Sequence, residues 1–254
     1  MLKRLLSLAY GCVCYMIFLG TFLYLMAFVT DFARPKSVSS GDATGVFQAI
    51  SIDAALVLIF ALQHSVMARP AFKRAWTRFV PKHLERSTYV LFASMALLFL
   101  FWQWRPIGGS VWSIANPELR FLVQGVCGIG WCLVLLSTFL IDHFDLFGLR
   151  QVYLYARNQP YTEHRFRTPL MYQFVRHPLY LGFLIAFWSA PDMTVARLVL
   201  AALFTAYVLV AIRFEEKDLI MVHGKAYQRY RESVPMLIPG LSDVVVERRQ
   251  LHTS

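Results

Sequence analysis

"FVRHPLYLGF", residues 174–183, decides how this chain is read. Arg176, His177 and Pro178 stand at the mouth of an apolar run, and Tyr180 and Gly182 follow at once. Proline has no amide hydrogen and suits the first turn of a helix. The residue before it is pushed toward extended backbone. The stretch therefore predicts a helix that starts at Pro178 with His177 just ahead of it. Such a start presents unpartnered N–H groups and the positive end of the helix dipole, a site for an anion such as a carboxylate. Arg176 would reinforce it. Tyr180 adds an amphipathic ring with a hydroxyl, and Gly182 admits the close approach of a ligand or a neighbouring helix.

The rest of the chain says what kind of helix this is. Of 254 residues, 57% are hydrophobic, and the excess sits in long runs, which marks membrane spans. Six apolar segments can be drawn, at 5–30, 46–68, 87–104, 119–141, 171–190 and 194–214. About 20 residues cross the hydrocarbon of a bilayer, and five of the six come close. The fifth is short, because Pro178 lies inside it and Pro191 soon ends it. The first run, longer than the core of a signal peptide, reads as a retained span. The expectation is an all-α polytopic bundle of about six spans in one membrane domain over 1–254, with an amphipathic interfacial helix in "HGKAYQRYRESVP" (223–235).

The net charge of +10 fits membrane loops rather than nucleic acid. Segment 69–86 carries Arg69, Lys73, Arg74, Arg78, Lys82 and Arg86, and loop 142–170 carries Arg150, Arg157, Arg165 and Arg167. The tail adds Lys217, Lys225, Arg229, Arg231, Arg248 and Arg249, while the alternate loops hold only Arg34, Lys36 and Arg105. The positive-inside rule then puts both termini in the cytoplasm, with a bacterial inner membrane as the expected setting. "SVSSGDATG" (37–45) reads as a flexible outer loop. Cys12, Cys14, Cys127 and Cys132 fall inside apolar runs with no CxxC pair, so neither a metal site nor a disulfide framework is expected.

Polar residues interrupt the spans at one level. His64 lies near the cytoplasmic end of the second, Asp142 and His143 at that end of the fourth, and Arg176 and His177 at the mouth of the fifth. Glu215 and Glu216 close the sixth. Each has a bland reading: a snorkelling anchor for Arg176, a satisfied interior histidine for His64, a solvated helix end for the glutamates, loop residues for Asp142 and His143. Ionisable groups at membrane depth are expensive and tend to face a cavity or one another. Together they would suit a zwitterion, with its carboxylate toward the helix start and its ammonium toward the glutamates. Asp53, without companions, reads as structural.

The same residues resemble a known family. Arg176-His177-Pro178-x-Tyr180-x-Gly182, then Glu215-Glu216, Gly224 with Tyr227 and Tyr230, and Val234-Pro235 are similar to the signature of the integral-membrane methyltransferases related to isoprenylcysteine carboxyl methyltransferase and the phospholipid methyltransferases. Stretches 63–106 and 142–152 resemble the methanethiol S-methyltransferase branch, and with them the likeness covers most of the chain. It implies S-adenosylmethionine as methyl donor. Arg176, His177, Tyr180 and Gly182 would line the donor pocket, with Glu215 or Glu216 at the donor's amino group and residues 170–240 as the donor-binding part. No segment matches a lipid-tail site, so a small thiol, methanethiol giving dimethyl sulfide, is the implied acceptor.

The reaction expected is direct displacement of the sulfonium methyl by a thiolate. A thiol needs a base, and His64 is the candidate, with Asp142 and His143 as an adjacent polarising pair. Two other readings stand beside this one. A non-enzymatic NnrU-like membrane protein would hold haem or a partner through His64, His143, His164 and His177, although no HxxH or HxxxH spacing supports it. A methyltransferase for a lipid or larger thiol would keep the chemistry and change the acceptor. Beyond the bilayer and a small thiol, no protein partner is expected.

Overall fold

The computed structural model describes residues 1–33, 35–41, 44–162 and 167–240. Arg34, His164, Arg165, Arg248 and Arg249, which entered the charge and ligand readings above, and positions 42 and 43 of the 37–45 loop lie outside the described residues.

The chain is helical almost throughout. In order come α1 (Leu2–Val29), α2 (Val46–Ala68), α3 (Pro70–Trp76), α4 (Lys82–Gln103), β1 (Ser110–Ser113), α5 (Pro117–Ile141), α6 (His143–Leu146) and α7 (Leu149–Ala156). A 3-10 turn at Leu170–Gln173 leads into α8 (Pro178–Trp188), β2 (Asp192–Thr194), α9 (Val195–His223) and α10 (Lys225–Ser233). Helices α1, α2, α4, α5 and α9 are each long and apolar enough to cross a membrane. The protein is a polytopic membrane bundle.

Three local rules set the helix starts. Asn116 accepts from the amide of Leu119 at 2.9 Å ahead of Pro117. Thr194 accepts from the amide of Arg197 at 3.1 Å. Pro178 opens α8 at its first position with His177 as cap, as the ring chemistry of proline requires. Two boundaries differ from the sequence expectation. The fifth segment is an 11-residue helix and not a run from 171, because Pro178 lets α8 begin no earlier. The sixth does not end at the glutamates. Helix α9 runs on to His223, stopped by Gly224 at φ +57, so Glu215 and Glu216 project from helix interior.

Spanning helices gain little from hydrophobic burial against one another, because lipid is as apolar as they are; close packing of small residues holds them instead. The α5–α8 contact is of this kind. A Cβ on Gly182 would stand 2.7 Å from the Gly130 carbonyl oxygen, and one on Gly130 would stand 2.7 Å from the Ala186 amide nitrogen. The Cys127 thiol reaches the Ala186 carbonyl oxygen at 3.5 Å. Buried Arg197 donates to the carbonyls of Ala186, Phe187 and Ser189, satisfying the C-terminal end of α8 inside the bundle. Past that end, β2 pairs antiparallel with β1, a two-stranded sheet the sequence did not signal. Fully buried Asp53 accepts from the Arg105 amide at 2.9 Å, the structural role expected of it.

Candidate functional site

The sequence signature is scattered over 60 residues, yet its parts meet in space. Arg176 donates from Nε to Oε1 of Glu216 at 2.7 Å, and from its terminal nitrogen to the carbonyls of Arg231 (2.9 Å) and Val234. His177 Nε2 lies 3.1 Å from the same Glu216 oxygen. Backbone bonds run alongside: the Arg176 amide to the Pro235 carbonyl at 2.9 Å, and the His177 amide to the Met236 carbonyl at 3.2 Å. The Tyr230 hydroxyl bonds to the Tyr172 carbonyl, and Tyr227 is buried beside Tyr230. The segment after Gly224 is thus a strap that α10 lays across the start of α8. Burial pushes the Tyr227 and Tyr230 phenols up, Tyr230 to about 12, so both stay neutral at physiological pH.

The two glutamates have different company. They are consecutive on α9, so their side chains leave the axis about 100° apart. Glu216 faces two bases, Arg176 and His177. Glu215 faces phenols: Tyr180 donates to its Oε2 at 2.8 Å. Tyr89 from α4, Tyr172 from the 3-10 turn and Tyr207 from α9 lie within electrostatic reach of it. Among the described residues Glu215 has no basic partner. The Tyr172 phenol, outside the spans, is raised by burial first and by the Glu215 charge next. This cluster holds one uncompensated carboxylate in an aromatic wall, a setting suited to a cation.

His64 reaches the edge of this cluster through Tyr89. The Tyr89 hydroxyl lies 3.1 Å from Nδ1 and 3.0 Å from Nε2 of the imidazole. A hydroxyl equidistant from both ring nitrogens cannot lie along either in-plane lone pair, so it sits over the ring face. Phe60 packs against the imidazole from its own helix at 5.3 Å between centroids.

His143 and Asp142 go elsewhere. His143 is 5% exposed, with Nε2 2.9 Å from the Tyr15 hydroxyl on α1 and Nδ1 2.9 Å from the Thr138 hydroxyl. Its ring stacks on Phe139 at 4.2 Å, and burial holds its pKa below the usual histidine range. Asp142 caps α6, accepting from the Asp145 amide at 3.1 Å. The expected polarising contact to His64 is not made, because both His143 nitrogens are engaged where α5 meets α1. Gly182 likewise serves the helix contact, its Cα turned onto Gly130 of α5 rather than into the polar cluster.

Tyr89, Tyr172 and Tyr207 were not singled out in the sequence. Tyr207 carried a usable signal, eight residues before Glu215 and so on the same face of α9. Tyr89 and Tyr172 carried none, since their approach depends on how α4 and the 3-10 turn fold back. Among the described residues no group of three or more His, Cys, Asp or Glu side chains is arranged to hold a metal.

Known proteins are similar to this chain in sequence, two methyltransferases along nearly their whole length. The chain is 53% identical over 238 residues to a methanethiol S-methyltransferase of Crocosphaera subtropica, covering 94% of this chain and 93% of that protein. It is 49% identical over 238 residues to one of Mycobacterium tuberculosis, covering 94% and 98%. Nurim of Xenopus laevis is 30% identical over 189 residues, covering 71% and 66%. No family model matches the chain, and no solved structure matches it.

Proposed function

The chain belongs to the methanethiol S-methyltransferase family, and from that membership we propose that it transfers a methyl group from S-adenosylmethionine to methanethiol, releasing dimethyl sulfide. The observation that carries this reading is Glu215, a carboxylate bonded to Tyr180 at the start of α8 and lacking a basic partner among the described residues. S-adenosylmethionine supplies a methyl carbon on a positively charged sulfur, open to in-line displacement by a thiolate.

The residues present fit such a donor. Glu215 and the phenols of Tyr180, Tyr89 and Tyr207 favour its positive charge, through the carboxylate and through the ring faces. The first-turn amides of α8, at Leu179 and Tyr180, and the guanidinium of Arg176 would hold its carboxylate. Glu216 keeps Arg176 and His177 in place, and the α10 strap covers them. Residues 170–240 form the donor-binding part of one membrane domain. Gly182 acts by letting α8 sit against α5, which fixes where Tyr180 projects.

His64 is the base. A ring nitrogen accepts the thiol proton, and the Tyr89 hydroxyl, within 3.1 Å of both nitrogens, restricts the ring's rotation. A simple thiol is a weak acid near neutral pH, so a base within reach raises the thiolate fraction where it is needed. An apolar surround then favours a step in which two opposite charges are lost. The end of the bundle that carries α3, α6, α7 and α10 is the basic one, and the positive-inside rule places it, with both termini, in the cytoplasm.

The test is headspace detection of dimethyl sulfide over membranes containing the full chain, given methanethiol and S-adenosylmethionine. Product that depends on both additions, and that falls in Glu215→Gln, is the expected result. Absence of product with intact, membrane-inserted protein refutes the reading.

A further inference from the structure

A groove of about 400 Å³ opens on the outer side of α9, lined by Val210, Arg213, Phe214, Glu216, Lys217 and Arg231. Val210, Arg213, Phe214 and Lys217 follow the i, i+3, i+4, i+7 spacing, so they form one stripe on α9. Arg231 reaches in from α10.

The charges of this groove do not balance. Arg213, Lys217 and Arg231 are all exposed, and among the described residues none has a carboxylate partner. Glu216, the one acid in the lining, is already held by Arg176 and His177. Arg213 and Lys217, one turn apart, repel each other. Lys217 Nζ lies 5.9 Å from the centre of the Phe214 ring and Arg69 Cζ lies 6.0 Å from it, so the ring itself is flanked by cations.

The groove also has a definite depth. Helix α9 rises about 1.5 Å per residue, which places Arg213 about 27 Å from the helix start. That is close to the thickness of bilayer hydrocarbon, about 30 Å. Arg213 and Lys217 therefore stand at headgroup level with the exposed Phe214 between them, while exposed Val210, nearly a turn deeper, faces acyl chains. A surface that is cationic at headgroup depth and apolar just below it matches one kind of molecule. We propose that the groove binds an anionic phospholipid, its phosphate between Arg213, Lys217 and Arg231 and its acyl chains running past Phe214 along Val210. The bound headgroup draws Arg231, and with it α10, against α9. The carbonyl of Arg231 accepts from Arg176, so the lipid steadies the strap over the start of α8.

The experiment uses the full purified chain in detergent and reads retained lipid by native mass spectrometry. Phosphatidylglycerol and phosphatidylcholine are offered together. Each basic contact at a membrane surface is worth about 1 kcal/mol, so preference for phosphatidylglycerol of about tenfold or more is expected. It collapses toward unity in Arg213→Gln/Lys217→Gln and persists in Lys225→Gln/Arg229→Gln, which removes two exposed charges outside the groove. Equal retention of the two lipids by the unaltered chain, or equal loss in both double variants, overturns the proposal. Displacement of the lipid by millimolar inorganic phosphate also overturns it, by assigning the groove to a soluble anion. The single variants Arg213→Gln and Lys217→Gln, each with intermediate preference, guard against a double variant that does not fold. The readout is independent of methyl transfer, so it stands or falls apart from the activity above.

Discussion

Tyr180 and Glu215 are joined by a 2.8 Å hydrogen bond between the first turn of α8 and the interior of α9. The phenol donates, and the carboxylate has no basic neighbour among the described residues. Its consecutive residue Glu216 is in the opposite situation, bonded to Arg176 and His177. The two glutamates should therefore fail differently. Glu215→Gln is expected to raise the dissociation constant for S-adenosylmethionine about tenfold or more, since a charge-assisted contact is worth about 1.5–3 kcal/mol, with little change in melting temperature. Glu216→Gln is expected to lower the melting temperature, because it strips the carboxylate partner from half-buried Arg176 and buried His177. Isothermal titration and thermal melts in detergent read the two effects; a swap of the two phenotypes would reverse the assignment.

His64 is expected to act on rate and not on donor affinity. Replacing it by Ala should lower kcat by about 10²–10⁴-fold, the usual range for a lost general base. The donor dissociation constant should stay within about twofold. The reading fails if His64→Ala weakens donor binding and turnover equally, or leaves both unchanged. Tyr89→Phe, which removes the hydroxyl over the ring, should shift the pH–rate profile while leaving donor affinity intact.

Gly182 and Gly130 make the α5–α8 contact possible. An Ala at either position meets backbone atoms at 2.7 and 2.8 Å, which must move apart. Gly182→Ala and Gly130→Ala are each expected to cost about 1–3 kcal/mol, the range for overpacking. Gly125→Ala is the control, on the same helix with nothing within 4 Å of its new Cβ. It should be neutral or gain up to about 1 kcal/mol from helix propensity. Melting curves that rank Gly125→Ala with the other two would contradict the packing.

Asp192 ties the β1–β2 sheet to the start of α5. Its carboxylate takes two bonds from Arg120 at 2.6 and 2.8 Å and one from the Ser113 hydroxyl at 2.6 Å. Those bonds, the Arg120 guanidinium foremost, lower its pKa to about 2. Since the folded value is depressed, the stabilisation is complete above the unfolded value of about 3.9 and is lost as pH falls toward 2. Asp192 is about half exposed, so solvent screening keeps the effect small. Asp192→Asn should melt slightly below the unaltered chain at pH 6, and the gap should close on acidification through that window. A gap that widens there would show the sign to be wrong.

Much of this was legible before any coordinates. The long apolar runs gave the five spanning helices, because crossing a bilayer demands length and apolarity that nothing else in a sequence imitates. Pro178 gave the start of α8, because a missing amide hydrogen acts within one turn. His64, Asp142 and Glu215 near the C-terminal ends of the second, fourth and sixth segments, with Arg176 at the start of the fifth, read as one end of the bundle. The β1–β2 sheet was not legible, since "SVWS" and "DMT" are too short to carry a strand pattern.

What the sequence determined by itself are the properties set by neighbours along the chain: span length, helix starts, the order of the signature residues and their common depth. What the tertiary structure alone decided is who faces whom. Helices may rotate about their axes without changing any local preference, and consecutive residues then point about 100° apart. That rotation gives Glu216 to the bases and Glu215 to the phenols. It also turns His143 toward Tyr15 and away from His64, and sets Gly182 against Gly130.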